Sequence, residues 1–593
     1  MGWWGKILDW FNQEPAMPFS LDPEVPPIKV KGKGATGSYS PGAQEEAGTT
    51  GESEQGSSKP GILQKVGSFF SRKGKGDEGA RGPAPEEPSV APDLDKNLLT
   101  VRRILHTDRN SDVIIREFLL PVGKGIRAAF VFIDGMVNLR AVNADILRPL
   151  LDPDFAARLA RGLAAGNVEK LFPAAATTLH DSMRKVVTET LMGNLALFVD
   201  GLGKALVVDV KGWEKRPISE PVTERVVIGP HEAFAETLKV NITMLRRILR
   251  TPDLICELLE VGKVTHTQVA IFHIEHITNP RLVNEVKRRI SSIKASYVAE
   301  SAILDQLIDV PRFWMVPHAV LTERPDRFAG AVAEGYVGIM VDHSPFGLVV
   351  PITIADFFSS AEDIYLRPPA PTFLKLIRAS GMLATLILPG LYIAAVTFHH
   401  EMIPSVLLQA IAASKEGVPT PTPLAVFAGE LGFDFIREAG VRVPSPVGPT
   451  IGIVGALLIG DAAVRASLLA PVTVIIIAVT AVASFTIPNQ DVATLVRIFK
   501  YVFIVAGSTF GILGIGLLLY VVGVYLCSLR SFGVPIVAPV IAGGPSARDV
   551  VARRAVWKME HRPRFLRPEG IRRQPPVSRT WTLARPLRPC KRK

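Results

Sequence analysis

Few residues in this sequence have the types and spacing of a catalytic or metal-binding site. Asp200 and Asp342 occupy equivalent positions in two similar segments, and paired carboxylates can perform acid–base chemistry. Each lies in a turn, so we expect its carboxylate to bond nearby backbone instead. His231, His273 and His276 lack the tight spacing of a zinc site, so we predict no bound metal.

Motifs of the common enzyme classes are missing from the sequence. It contains no Walker loop, nucleophile elbow or HExxH motif. Cys256, Cys527 and Cys590 lie far apart, which excludes a disulfide scaffold and an all-cysteine zinc site. We therefore predict a protein that is not an enzyme and that holds no cofactor.

One pair of opposite charges interrupts an apolar stretch. Val447–Leu469 is long enough to cross a membrane but contains Asp461 and Arg465. Their i,i+4 spacing places them on one helix face, where the two charges can neutralise each other. This stretch is the least lipid-compatible of the apolar segments.

The composition indicates both soluble and membrane parts. The 593 residues suffice for roughly three or four domains. Hydrophobic residues make up 48% and the mean hydropathy is +0.26, which is high for a soluble protein, whereas 21% charged residues exclude a bundle of spans alone. The net charge of +11 comes from residues 541–593, which hold 15 Lys and Arg against 3 Asp and Glu.

The N-terminal region resembles neither a signal peptide nor a domain. Met1–Asn12 has no secretory core. On a helix, Trp3, Trp4, Ile7, Leu8 and Phe11 would share one face, which suits a membrane surface or a partner groove; the alternative is a disordered tip. Asn12–Lys96 contains 11 Pro and 13 Gly, a composition typical of disorder. We predict a disordered leader over 1–96, with a second short amphipathic segment at Ile62–Phe70.

The middle of the chain contains an internal repeat. In each copy a helix and a further helical stretch ending in Val-Gly-Lys precede a strand, a helix and a hairpin, and matched points lie 139 to 144 residues apart. The clearest copies are NLLTVRRIL at Asn97–Leu105 and NITMLRRIL at Asn241–Leu249. We predict an α/β (α+β) fold of two tandem duplicated subdomains, 97–215 and, with a connector, 216–365.

The second half reads as an all-α transmembrane domain over 366–535. Three further stretches carry no charge and can each cross about 30 Å of hydrocarbon: Gly381–Phe398, Leu468–Ile487 and Tyr501–Cys527. Together with Val447–Leu469 they predict about four spans. Ile403–Ala413 and Leu424–Ile436 are shorter or amphipathic and are predicted to be re-entrant or interfacial.

The basic tail predicts the orientation of these spans. An even number of spans places both termini on one side, and the positive-inside rule makes that side cytoplasmic. The tail over 536–593 is therefore predicted to be cytoplasmic and to contact anionic membrane lipids. Nucleic-acid binding is the alternative, but the sparse aromatic residues disfavour it, and we predict no nucleic-acid partner.

Short motifs run in order through both halves of the chain. They are RPISEP at Arg216–Pro221, TERPD at Thr322–Asp326, REAG at Arg437–Gly440, IVGA at Ile453–Ala456 and SFGVP at Ser531–Pro535. This pattern, together with further matches over Asn97–Pro535, resembles the A subunit of GerA-type spore germinant receptors.

The resemblance implies a sensor in the inner membrane of a bacterial spore. Such A subunits act with a multi-span B subunit, which binds the small germinant, and with a C subunit that is a lipoprotein. They are thought to form a homo-oligomer that acts as a ligand-gated cation channel. The alternatives are a stage V sporulation paralogue linked to dipicolinate release and a small-molecule transporter with a midplane site.

Two sets of site residues follow as hypotheses. In the connector, Arg216, Glu220 and Glu224 are expected in structural ion pairs. In Val447–Leu469, one helix face is predicted to line the pore of the oligomer, with an apolar constriction and a cation-attracting mouth. This face consists of Val447, Thr450, Val454, Leu457 and Asp461. Alternatively, Asp461 only pairs with Arg465, and the helix packs within one subunit.

Overall fold

A computed structural model describes residues 88–122, 125–156, 158, 176–212, 220–309, 316–442, 460–541 and 552–575. The predicted amphipathic segments of the leader, Arg216, and the four pore residues from Val447 to Leu457 lie outside these ranges. Two sheet units, each with flanking helices, precede a helical region. The mixed α/β character predicted for the first half is confirmed.

The first sheet unit consists of five antiparallel strands with helices against both faces. Asp93 caps its first helix by accepting hydrogen bonds from the Asp95 and Lys96 amides. A short helical stretch with a π-helical segment, Val142–Leu147, covers the other face of the sheet. The elements are α1 (Leu94–Ile104), β1 (Val113–Leu120), β2 (Ile126–Ile133), β3 (Thr177–His180), α2 (Met183–Leu191), β4 (Leu195–Val199) and β5 (Ala205–Val208).

The second sheet unit has the same plan. Its two apolar layers lie on opposite faces of a five-stranded antiparallel sheet. The elements are α3 (Leu238–Ile248), β6 (Leu254–Val261), β7 (Thr267–Ile274), α4 (Pro280–Ser291), α5 (Ser301–Ile308), β8 (Val320–Thr322), α6 (Pro325–Ala333), β9 (Val337–Val341), β10 (Gly347–Val350) and α7 (Ile354–Phe358).

The two units share their strand order and two side-chain contacts. The orders are β1-β2-β4-β5-β3 and β6-β7-β9-β10-β8. Asn97 bonds both the amide and the carbonyl of Ala91, and Asn241 does the same at Ala235.

The equivalent aspartates also act alike in the two units. Asp200 accepts a hydrogen bond from the Leu94 amide, and Asp342 accepts one from the Leu238 amide. The sequence predicts only a local turn role for these carboxylates. In the structure each one reaches the first residue of a helix more than a hundred residues away, where a negative charge is favourable.

A buried ion pair joins the two sheet units. Arg246 of α3 donates to both carboxylate oxygens of Asp112, at 2.7 and 2.8 Å, and also to Asn110, just before β1. Both charged side chains are almost fully buried. Because the fork is bidentate and desolvated, it fixes one arrangement of the two units.

The helical region follows the second sheet unit. By length and hydropathy, two described segments are candidates to cross a membrane: helix Ala370–Thr397 (α8) and the helical segment Gln490–Ser528 (α12). The elements are α8 (Ala370–Thr397), α9 (Ser405–Lys415), α10 (Thr422–Arg442), α11 (Pro471–Ser484) and α12 (Gln490–Ser528). α10 packs against α8, α11 and α12. It contains Leu424–Ile436, for which the sequence predicts a re-entrant or interfacial placement.

Helix α12 is a hairpin rather than one straight span. At Gly511 the backbone has φ 60° and ψ −142°, which is not helical. A Cβ placed on Gly514 would lie 2.5 Å from the carbonyl oxygen of Ala506, although eight residues of straight helix span about 12 Å. The charge-free run Tyr501–Cys527, predicted as one span, therefore contains a reversal. Its glycine permits this because a positive φ carries no Cβ penalty there.

Both ends of the α12 hairpin pack on the second sheet unit. Val492 and Val496 near its start, and Leu529 just after its end, lie in the same apolar cluster as β6 and β7. The short strands β11 (Arg530–Ser531) and β12 (Val534–Pro535) then turn back, followed by α13 (Ala538–Ile541). Ser531 Oγ donates to the His318 carbonyl at 2.6 Å, which ties the hairpin base to the sheet unit.

Candidate functional site: a buried charge cluster among the helices

Two helices of the helical region carry ionisable residues on facing sides. On α10, Glu430, Asp434 and Arg437 follow at intervals of four and three residues, so they share one face. On the first half of α12, Arg497 and Lys500 are three residues apart. We call these five residues the charge cluster.

Lys500 lies at the centre of the charge cluster. Its Nζ is 2.7 Å from Glu430 Oε2 and 3.2 Å from Asp434 Oδ2. Tyr501 donates its hydroxyl hydrogen to the same Asp434 oxygen at 2.5 Å. The Lys500 and Glu430 side chains are only 3% and 1% exposed, so this ammonium–carboxylate pair is shielded from solvent.

The two arginines form the other side of the charge cluster. Arg437 donates to Ser484 Oγ on α11 at 3.0 Å and lies 4.5 Å from the centroid of the Phe485 ring. Arg497 donates to Thr494, one turn earlier. Within the described residues, Glu430 Oε1 and Arg497 Nε are buried without a hydrogen-bond partner. The cluster therefore retains unused hydrogen-bonding capacity on one anion and one cation.

Hydroxyl groups complete the lining. Thr385 of α8 and Thr480 of α11 are buried beside the charges, and each donates to a carbonyl of its own helix. The side chains fill the space so closely that no water molecule fits among them. With all groups ionised the cluster has three cations and two anions, so most of the charge is compensated internally.

This arrangement suits a conformational role better than a chemical reaction. No nucleophile with an adjacent base is present among the lining residues, and there is no room for a substrate. Burying an ion pair is costly unless its geometry is excellent, and removing one partner is more costly still. The charge cluster therefore strongly favours the packing in which α10 and α12 keep Lys500 against Glu430.

The TERPD segment forms a second polar network, which fixes the connector between the sheet units. Arg324 is fully buried, pairs with Asp326 at 2.8 Å and donates to the Pro230 carbonyl at 2.9 Å. Glu323 accepts hydrogen bonds from the Val222 and Thr223 amides. The motif therefore acts as a clamp on residues 222–230.

The predicted connector charges are only partly described. Glu224 pairs with Arg327 and accepts a hydrogen bond from Thr322 Oγ1 at 2.5 Å. Glu220 is exposed at the start of the described connector, and Arg216 lies outside the described residues. Among the predicted pore residues, only Asp461 is described. Arg465 Nε lies 2.7 Å from its carboxylate, and both side chains are exposed in the isolated chain.

A third group of ionisable residues lies at the base of the α12 hairpin. His318 is buried between Asp305 and Asp309, at 3.6 and 3.5 Å, and stacks on Phe532. Burial and the nearby carboxylates of Asp309 and Asp491 raise the pKa of Asp305 to about 8. Burial, with the positive charge of Arg289, lowers the pKa of His318 to about 3, so the imidazole is neutral near pH 7.

The histidines considered as metal ligands do not converge. His273 is buried in β7, and burial and the charge of Lys287 lower its pKa to about 3. His231 and His276 are exposed, His276 in a turn with φ 62°. Among the residues that the structure describes, no group of three or more His, Cys, Asp or Glu side chains is arranged to hold a metal ion.

Sequence reasoning missed the charge cluster. The available signal was the i,i+4 spacing of Glu430 and Asp434 on an otherwise apolar helix, matched by Arg497 and Lys500 beside a charge-free run. The pairing itself is not readable, since about 70 residues separate Glu430 from Lys500.

Comparison with known proteins identifies the family. The model of the Bacillus/Clostridium GerA spore germination protein family matches residues 100–565. The chain belongs to this family. The resemblance inferred from the TERPD and SFGVP motifs is thereby confirmed. The family and the two long apolar helices together identify a membrane protein.

The individual proteins to which this GerA-family chain is similar include spore germination proteins. Spore germination protein KA of Bacillus subtilis (strain 168) is 37% identical over 487 residues, covering 82% of this chain and 89% of the relative. Spore germination protein GerLA of Bacillus cereus is 34% identical over 450 residues, covering 76% of this chain and 91% of the relative. A crystal structure is known for the N-terminal domain of the A subunit of the Bacillus megaterium spore germinant receptor GerK3. That domain is 28% identical in sequence, with a TM-score of 0.35, and the match covers 45% of this chain and 98% of the domain.

Proposed function

We propose that this chain is the A-type subunit of a spore germinant receptor and that it acts with a multi-span B subunit and a lipoprotein C subunit in the spore inner membrane. The observation that carries the proposal is the family match over residues 100–565, which includes both sheet units and the helical region. The presence of buried charges in that helical region fits a protein that changes state rather than a passive anchor.

The proposed response is the opening of a cation path in an oligomer of A subunits. The helix face of Val447, Thr450, Val454, Leu457 and Asp461 is proposed to line it, with the termini on the cytoplasmic side. In this scheme the sheet units act on the membrane helices through the base of α12, which packs in the apolar cluster of the second sheet unit. The charge cluster holds the resting arrangement of α10 and α12.

Deletion of the gene tests the receptor role. Spores without it should lose the response to at least one nutrient, followed as the fall in optical density and the release of potassium after amino acids, sugars or nucleosides are added. Spores that respond to every nutrient as the parent does would refute a receptor role. Neither the sporulation paralogue nor the transporter is favoured by an observation in the described residues.

Two substitutions in the complementing gene test the pore. Val454→Ala is expected to make resting spores leak ions, because a smaller side chain weakens an apolar constriction. Asp461→Asn is expected to reduce the preference for cations. If Val454→Ala leaves the resting state tight and Asp461→Asn leaves ion preference unchanged, the path belongs to another helix.

A further inference from the structure

The C-terminal segment 552–575 makes a small folded unit on the surface of the second sheet unit. Its two arms pair with each other: the Arg562 amide donates to the Ile571 carbonyl at 2.9 Å, and the Arg573 amide donates to the Glu560 carbonyl at 2.9 Å. Gln574 closes the unit by donating to the Val556 carbonyl. The sequence predicts that this basic tail meets lipid headgroups, and Lys558, Arg564 and Arg567 of its described part are exposed.

One end of the segment is anchored on the second sheet unit. Leu566 is fully buried, and Phe565 packs edge-on against Tyr336. The Glu569 amide donates to the Ile277 carbonyl at 3.0 Å, and Asn279 donates to the Leu566 carbonyl.

Two arginines strengthen this anchor at the end of α6. Arg562 donates to the Ala333 carbonyl at 3.1 Å, and Arg573 pairs with Glu334 at 2.9 Å. This anchor combines a buried apolar side chain with backbone and charge-assisted hydrogen bonds. It therefore determines which residues of the segment contact the sheet unit.

The other end of the segment is anchored where α8 begins. Arg553 donates through one guanidinium nitrogen to the Ile364 carbonyl at 2.6 Å and through another to the Leu366 carbonyl at 3.1 Å. Its own amide donates to Thr372 Oγ1, in the first turn of α8, at 3.0 Å. A single residue of the tail thus bonds both the linker before α8 and the helix itself.

The two anchors connect different parts of the molecule. The first holds the sheet unit, and the second holds the start of a helix that is long enough to cross the membrane. Arg378 of α8 pairs with Asp363 of the linker at 2.7 Å. The contacts of the tail therefore add to a connection between α8 and the linker that already exists. A shift of α8 relative to the sheet unit would have to break the contacts of Arg553.

We propose that residues 552–575 act as a strap, which holds the start of α8 against the second sheet unit in the resting protein and must release α8 for the helices to rearrange. That release of the strap leads to release of ions rests on the proposed function, whereas the restraint on α8 does not. Charge-assisted bonds from one arginine to two carbonyls depend on the planar fork of its guanidinium, which lysine cannot reproduce.

The test is hydrogen exchange of the full chain in lipid nanodiscs. Arg553→Ala and Arg553→Lys should each speed exchange at 370–373, that is, of the Ala370, Thr372 and Phe373 amides, about tenfold, the effect of losing charge-assisted bonds. The Glu569 amide should be unchanged. Leu566→Asp should speed exchange at both places, because it releases the sheet anchor. Arg572→Ala, an exposed arginine of the same segment, should change neither.

Several results would overturn the strap. Unchanged exchange at 370–373 in Arg553→Lys is one, and release of Glu569 by Leu566→Asp without an effect at 370–373 is another. A chain that ends at residue 551 gives an independent check: a peptide of residues 552–575 should restore slow exchange at 370–373, and the same peptide with Arg553→Ala should not. If the wild-type receptor releases no ions when nutrients are added, the proposed function is wrong. The exchange data would still decide whether residues 552–575 restrain α8.

Discussion

Replacing Lys500 with methionine removes the cation at the centre of the charge cluster with little change in volume. Glu430 and Asp434 then lose their shared ammonium partner, and Glu430 lies in a site where its side chain is 1% exposed. Breaking a buried pair in this way costs about 3–5 kcal/mol, because an uncompensated charge remains. For a helical region of this size, that loss lowers Tm on the order of 10 °C.

The assay is thermal unfolding of the purified full chain in detergent, followed by the loss of helical circular dichroism. Lys211→Met is the matched control, because Lys211 also pairs with a carboxylate, Asp209, at 3.3 Å, but at the surface. Surface pairs contribute about 0–1 kcal/mol, so this control should shift Tm by no more than a few degrees. The double substitution Lys500→Met with Glu430→Gln should recover much of the loss, since it removes the buried negative charge as well.

An equal, small effect of Lys500→Met and Lys211→Met would refute the reasoning, because it would mean that Lys500 is solvated in the native protein. A double variant that is less stable than Lys500→Met alone would also contradict it. That result would show that Glu430 stabilises the fold through contacts other than Lys500.

Three further predictions concern other contacts. Arg246→Met should lower the free energy of unfolding by about 3–5 kcal/mol in thermal or denaturant melts, because it leaves the buried carboxylate of Asp112 unpaired. Because burial raises the pKa of Asp305 to about 8, the folded chain keeps a proton that the unfolded chain loses near pH 4, and the free energy of unfolding should fall as pH rises towards 8. In thermal melts at pH 6.5 and pH 8, Asp305→Asn should abolish this part of the fall. Gly507→Leu should reduce the yield of folded protein in size-exclusion chromatography, since a Cβ there would lie 2.5 Å from a carbonyl oxygen of α8, whereas Gly516→Leu, which has open space, should be tolerated.

Local patterns in the sequence predicted much of the first half. The repeated NxxxxRRIL segments become α1 and α3, whereas the stretch before each Val-Gly-Lys, which the sequence predicts to be helical, forms strand β1 or β6. The asparagines of both segments make the same contacts, which explains why that residue recurs. These features are readable because periodicity and capping act over a few residues.

Features that depend on tertiary contacts were not readable. Gly511 lies in a long charge-free run, where hydropathy alone indicates one span. The hairpin is revealed by the backbone angles of Gly511 and by the close approach of Gly514 to Ala506. The tail is basic by composition, yet its position depends on a single buried leucine and on carbonyl groups far away in sequence. The pairing of Lys500 with Glu430 likewise requires two helices to meet.

The first half of α12 links the base of the hairpin to the charge cluster. Val492 and Val496 pack in the core of the second sheet unit, and Lys500 follows one turn later on the same continuous helix. One turn of helix is about 5.4 Å long and does not stretch, so a displacement of the sheet unit along this helix moves the Lys500 ammonium by a similar distance. A displacement of this size breaks the 2.7 Å contact between Lys500 Nζ and Glu430 Oε2 unless α10 moves together with α12. The buried pair therefore permits two outcomes, helices that move together or a broken pair, and it disfavours every intermediate position, which is the behaviour required of a two-state element.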